Sequence, residues 1–237
     1  MRVVFLPTIQ HTGTWFLIEL LRNHTGIDYF IEAKDMFKEK LVYAQKGMLM
    51  QCHFGEGAQR HPGDGKEGKF FENPQVEQLL IKLNAIIPLR DPLLSLITRH
   101  KRHPELQHFY IINGFAVLTE WYERYGKEKL FCVPVDLYST KSIGERFHLL
   151  ESLFTFTFLS SSNIDYIRNV AWATRWPIFN STGTEMPMDK LGQLYRNGDV
   201  KKIASFFPEE YEYLKSKEGI LKPFLQELGY QNLPWWG

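Results

Sequence analysis

Two cysteines among 237 residues, Cys52 and Cys132, cannot build a disulfide framework, and neither sits in a Cys-x-x-Cys pair or at a zinc-type spacing. The chain therefore reads as one of a reducing compartment. Charge of one sign is also missing. Lys and Arg number 28 against 27 Asp and Glu, and a formal net charge of +1 offers no basic field for nucleic acid, so any anion site must be local. No run approaches the ~20 apolar residues that span a bilayer. The N-terminal apolar stretch is broken by Pro7, Gln10 and His11, unlike a signal peptide, and a cytoplasmic location is the expectation. The Walker pattern Gly-x-x-x-x-Gly-Lys-Ser/Thr occurs nowhere either, and no lysine precedes Thr14.

What is present suffices for one well-buried α/β domain over residues 1–237 and is short for two, with 44% of residues hydrophobic. The stretch Arg2 to Leu21, RVVFLPTIQHTGTWFLIELL, organises the rest. Arg2 to Leu6 is β-branched and apolar enough for a buried strand, and Pro7 is expected to stop its ladder. From Gly13 onward, Trp15, Leu17, Ile18, Leu20 and Leu21 make a mostly apolar helix with Glu19 on its wet side. The turn His11-Thr12-Gly13-Thr14 is thereby pressed against a helix N-terminus, where unpaired N–H groups and the positive dipole end converge and a glycine admits close approach. Such a turn suits a phosphate.

Further strands are expected over Gly47 to Phe54, Asn84 to Leu89 and Lys129 to Val135, while Ile27 to Ile31 is short, aromatic and unassigned. Lys34 to Lys40 reads as a charged helical turn or two, and Gln75 to Lys82 and Phe109 to Tyr125 read as helices. Gly55 to Gly68 carries five glycines and is either a lid, an acceptor-binding loop or a plain connection. Arg90 closes the third strand, and Pro92 follows where a first helical turn accepts it. Thr98 lies eight residues after Arg90, inside that helix. Ser95 is assigned to packing or capping, Trp121 to the scaffold, and Asp136 to capping a following helix. The chain looks helical from Ser139, breaks between Phe179 and Pro187, and ends in a glycine-capped helix and an aromatic tail, Pro234-Trp-Trp-Gly, that packs on the body or on a second subunit.

Three stretches resemble, in order, the motifs of sulfotransferases that use 3′-phosphoadenosine 5′-phosphosulfate. His11-Thr12-Gly13-Thr14 is similar to that family's 5′-phosphosulfate loop, with His11 at the lysine position. Arg90 and Thr98 match an arginine and a hydroxyl residue eight apart that hold the 3′-phosphate; a guanidinium forks onto a phosphate and a helix hydroxyl adds a donor. Ser181, Gly183 and Pro187 match the loop that closes over the nucleotide, with Thr182 and Thr184 in place of two cations. The resemblance implies a divergent, small member of the family. Its fold would be three-layered, with a central mainly parallel sheet between helices and a helical C-terminal part.

The resemblance also implies binding of 3′-phosphoadenosine 5′-phosphosulfate as co-substrate, its product adenosine 3′,5′-bisphosphate, and no metal. His11 to Trp15 would hold the 5′ end, Arg90 and Thr98 the 3′ end, and Ser181 to Thr184 would close the site. His53, at a strand end whose Gln51-Cys-His53 resembles the family's Lys-Thr-His, becomes the base for a hydroxyl of a carbohydrate or other small-molecule acceptor; His61 is the alternative. His11 becomes the cation beside the leaving oxygen, charged only part of the time near neutrality. Two other readings stand beside this one: a non-catalytic nucleotide-binding protein, and a phosphotransferase, which the missing Walker lysine disfavours. Nothing in the residue types selects the acceptor or an oligomeric state.

Overall fold

A computed structural model describes residues 2–22, 27–32, 47–54, 73–157 and 190–237. Five strands, β1 (Arg2–Thr8), β2 (Tyr29–Glu32), β3 (Gly47–His53), β4 (Ala85–Leu89) and β5 (Leu130–Pro134), form one sheet in the order β2-β3-β1-β4-β5. Every pairing is parallel. Around it lie α1 (Thr14–Arg22), α2 (Asn73–Lys82), α3 (Pro92–Arg102), α4 (Phe109–Tyr125), α5 (Ile143–Phe156), α6 (Lys190–Arg196), α7 (Val200–Ala204), α8 (Pro208–Ser216) and α9 (Glu218–Glu227).

Successive strand residues point to opposite faces, and the two cores sort accordingly. Val4, Leu6, Leu49, Ile86 and Val133 pack with Phe16, Leu17, Leu20 of α1 and Leu150, Leu153, Phe154 of α5. Phe5, Met48, Met50, Ala85, Ile87 and Leu89 pack with residues of α2, α3, α4 and the C-terminal helices. With both faces covered, a parallel strand can be apolar throughout, and all five residues of β4 are buried. The helix after β1 goes to one face, whereas α2, ahead of β4, and α3, after it, go to the other. Ligands of open α/β sheets bind beyond the strand carboxyl ends at such a reversal, which here falls beside β1.

Three sequence expectations change, and a fourth, for the aromatic tail, is decided between its two alternatives. Pro7 does not end β1: it pairs opposite Cys52, and Thr8 opposite His53, because the β3 ladder runs the strand's full length while the β4 pairing is confined to Phe5 and Ala85. The unassigned aromatic stretch supplies edge strand β2, paired from Tyr29 to Glu32 with β3. Asp136 caps no helix. Its carboxylate accepts the Asp91 amide at 2.9 Å and the Tyr230 hydroxyl, while α5 is capped by Ser142 and Glu145. The aromatic tail packs on the body: Trp235 is 1% exposed and its Nε1 donates to Asp91 at 2.8 Å. Both cysteines are free thiols, and among the described residues no helix is long and apolar enough to cross a membrane. The segments Lys34–Lys40, Gly55–Gly68 (with His61) and Ser181–Thr184 lie outside the described residues.

Candidate functional site

The loop after β1 turns on two left-handed residues, His11 at φ 63° and Gly13 at φ 93°. The second position tolerates nothing but glycine, since a Cβ there would come 2.8 Å from Val135 Cγ1. The first carries a side chain at a cost of ~1–2 kcal/mol. Left-handed residues spaced in this way gather neighbouring backbone N–H groups around a common concavity, and the Gly13 carbonyl then starts α1 by accepting Phe16 N at 3.1 Å. The two threonine hydroxyls differ. Thr12 Oγ1 donates to the Ile9 carbonyl at 2.8 Å and closes the loop, so its proton is committed. Thr14 Oγ1, on a residue 8% exposed at the head of α1, has no hydrogen-bond partner among the described residues. A buried polar atom without a partner costs free energy, which an anion at this position would recover.

Arg90 and Thr98 come together as their spacing implies. Arg90 Nη1 donates to Thr98 Oγ1 at 3.2 Å, and Thr98 passes its own proton to the Leu94 carbonyl at 2.9 Å. Arg90 is 4% exposed, and burial lowers its guanidinium against the field of Asp136 and Asp91, which offsets part of that effect. Asp91 is the hub behind it. It caps α3 through Leu93 N at 2.9 Å and accepts from Tyr195 and Trp235, and burial raises its carboxyl to about 6. Ser95 is structural, as its spacing implied, bonding the Asp91 carbonyl at 3.2 Å and reaching the His11 carbonyl at 3.5 Å.

His53 ends β3 directly opposite Thr8, the last residue of β1. Thr8 Oγ1 gives its proton to the Cys52 carbonyl at 3.0 Å and accepts Gln51 Nε2 at 3.2 Å, so its 2.8 Å bond to His53 is one in which Nδ1–H donates. That tautomer leaves the Nε2 lone pair, with the Gln51 amide 3.4 Å away, as the basic atom. His53 and His11 sit close enough to feel each other's charge.

His11 is the residue that departs most from the sequence expectation. Burial first, then the positive charges of Arg102 and Arg99, then His53 and Arg90, press its imidazole down to about 2. These effects favour the neutral imidazole in the unliganded site. Arg99 and Arg102 were part of a basic run visible in the sequence, but only the packing of α3 beside the loop shows that they face His11. Thr8 and Gln51 were likewise unassigned, and alternation along β3, which puts residues 51 and 53 on one face, was the available signal. Trp15, read as an apolar helix residue, is 46% exposed at the head of α1 instead. Among the described residues no group of three or more His, Cys, Asp or Glu could hold a metal ion.

No family model matches this chain, and no curated protein sequence matches it. Among solved structures it is similar to the mouse sulfotransferase SULT7A1 complexed with PAP, with a TM-score of 0.55 at 12% identity over 95% of this chain and 89% of that one. At that identity the likeness shows a shared fold: an α/β sulfotransferase fold.

Proposed function

We propose that residues 1–237 act as a single-domain, cytoplasmic sulfotransferase that moves a sulfuryl group from 3′-phosphoadenosine 5′-phosphosulfate to a hydroxyl of a carbohydrate or other small molecule. The chain's own residues fit such a donor. Thr14 Oγ1 lacks a partner among the described residues, the loop turns on left-handed residues 11 and 13, and the similar mouse enzyme was solved with PAP. The observation that carries the reading is that the left-handed loop 11–14 and the Arg90–Thr98 pair at 3.2 Å flank the carboxyl ends of adjacent strands β1 and β4, where each could take an anion.

The loop amides and Thr14 bind the 5′ end, and Arg90 and Thr98 bind the 3′-phosphate. The exposed indole of Trp15 is placed for stacking on a base, worth ~1–3 kcal/mol. His53 Nε2 takes the acceptor hydroxyl's proton as its oxygen bonds to sulfur; the bond from sulfur to the 5′-phosphate oxygen breaks, and the electron pair stays on the phosphate. Thr8 holds the imidazole in the tautomer this requires. No metal enters the scheme.

Thermal stabilisation by adenosine 3′,5′-bisphosphate against ATP tests the donor: at a hundred times its dissociation constant a ligand adds ~2.7 kcal/mol, and equal effects of the two nucleotides would sink the reading. A non-catalytic nucleotide-binding protein is the second reading, favoured by the neutral imidazole at the family's lysine position. Transfer of labelled sulfate to any hydroxyl acceptor excludes it.

A further inference from the structure

Ser95, Arg99 and Arg102 lie at i, i+4 and i+7 on α3, hence on one stripe. Ser95 Oγ reaches the His11 carbonyl at 3.5 Å, so this stripe is the one turned to the loop. Arg99 lies about 6 Å further along the axis at 1.5 Å per residue. It is 8% exposed, donates to the Tyr110 phenol, and its Nε has no hydrogen-bond partner among the described residues. Tyr110 in turn bonds Gln10 Oε1 at 2.7 Å, which ties this arginine to the residue preceding His11.

Arg99 has no carboxylate against it among the described residues. Its neighbours are groups that burial keeps neutral: Tyr110, raised to about 12, and His108, lowered to about 4 with its Nε2–H given to the His103 carbonyl at 3.0 Å. Arg90 differs, since Asp136 and Asp91 lie in its field. A buried guanidinium without a counter-ion costs several kcal/mol, and such a cost is retained where a ligand supplies the missing charge.

We propose that Arg99, supported by Arg102, is the permanent cation of the seat formed by residues 11–14 and binds the 5′-phosphate end of the donor, a role the lysine of the resembling family would fill and His11 does not. When the sulfur–oxygen bond breaks, the charge left on the 5′-phosphate oxygen develops against this guanidinium. The inference rests on the loop being the 5′ seat.

Calorimetric binding of adenosine 3′,5′-bisphosphate and adenosine 3′-monophosphate to the parent and to Arg99→Gln, Arg99→Lys and Arg102→Gln tests it. The parent should prefer the bisphosphate by roughly 10–100-fold, the worth of hydrogen bonds to a charged group. Arg99→Gln should bring the two nucleotides within about threefold by weakening only the bisphosphate, and Arg99→Lys should keep part of the preference. Arg102→Gln, an exposed change that the fold tolerates, should lose a smaller share and serves if Arg99→Gln does not fold. A parent that binds neither nucleotide defeats the proposed function itself. A parent with the preference, and folded variants that keep all of it, overturns the role of Arg99 and Arg102 while leaving the function standing.

Discussion

The two places proposed to seat anions are made of different materials. The loop after β1 is backbone held in a left-handed path by Gly13 against Val135, with a hydroxyl at Thr14 that has no hydrogen-bond partner among the described residues. The seat after β4 is side chains, Arg90 on Thr98, backed by Asp91, Asp136, Tyr230 and Trp235. A backbone seat depends on φ at residues 11 and 13 more than on which side chain stands at its rim. A side-chain seat has no such latitude, because the fork and its charge belong to one residue type. The C-terminal tail reaches the second place, through Trp235 on Asp91 and Tyr230 on Asp136.

The sharpest break between binding and chemistry is His53→Ala. It should leave nucleotide binding near the parent's and reduce sulfate transfer roughly 10²–10⁴-fold, the usual share of a positioned base. Turnover undiminished in that variant would make His53 structural. Next in size, Arg90→Ala should erase the preference for adenosine 3′,5′-bisphosphate over adenosine 5′-monophosphate, a loss of roughly 10–100-fold. A preference that survives would place the 3′-phosphate elsewhere.

Gly13→Ala probes the backbone seat and should cost ~1–3 kcal/mol of stability in chemical denaturation, since the residue is left-handed and crowded. Val135→Ala in the same chain should return only the crowding share; full recovery would mean that φ at 13 is unimportant. The smallest effect separates the two threonines. Thr12→Val strands the Ile9 carbonyl and should lower stability by ~1–3 kcal/mol, whereas Thr14→Val breaks no bond and should leave stability within ~0.5 kcal/mol while weakening nucleotide binding. Equal losses of stability in the two variants would show that Thr14 already has a structural partner.

Much of this was legible in one dimension, and the misses have physical causes. Arg90 and Thr98 were paired in the sequence through the family resemblance, and they meet in the fold because only Arg90 and Asp91 join the strand to the next helix, which leaves little freedom for where the hydroxyl lands. α4 was read at its observed bounds, Phe109–Tyr125, because its apolar period is long and uninterrupted. β2 escaped because four residues are too few to show alternation, and its identity depends on the ladder that β3 offers. Pro7 misled because the loss of one donor was weighed without knowing that the ladder to β3 would carry past it.

The protonation of His11 depended on still more distant information. Sequence supplies an imidazole with an ordinary value of about 6.5; its descent to about 2 requires burial and the approach of Arg102, Arg99, His53 and Arg90 from three other segments. By itself the sequence determined the strands of the central sheet other than β2 and the position of the turn between β1 and α1, because each follows from local periodicity and glycine, while the pairing of Arg90 with Thr98 was implied by the family resemblance. Tertiary structure decided which hydroxyl is spoken for, which tautomer His53 holds, which cations lack a counter-ion and where Trp235 goes, because each is set by groups tens of residues away whose approach only the folded chain brings about.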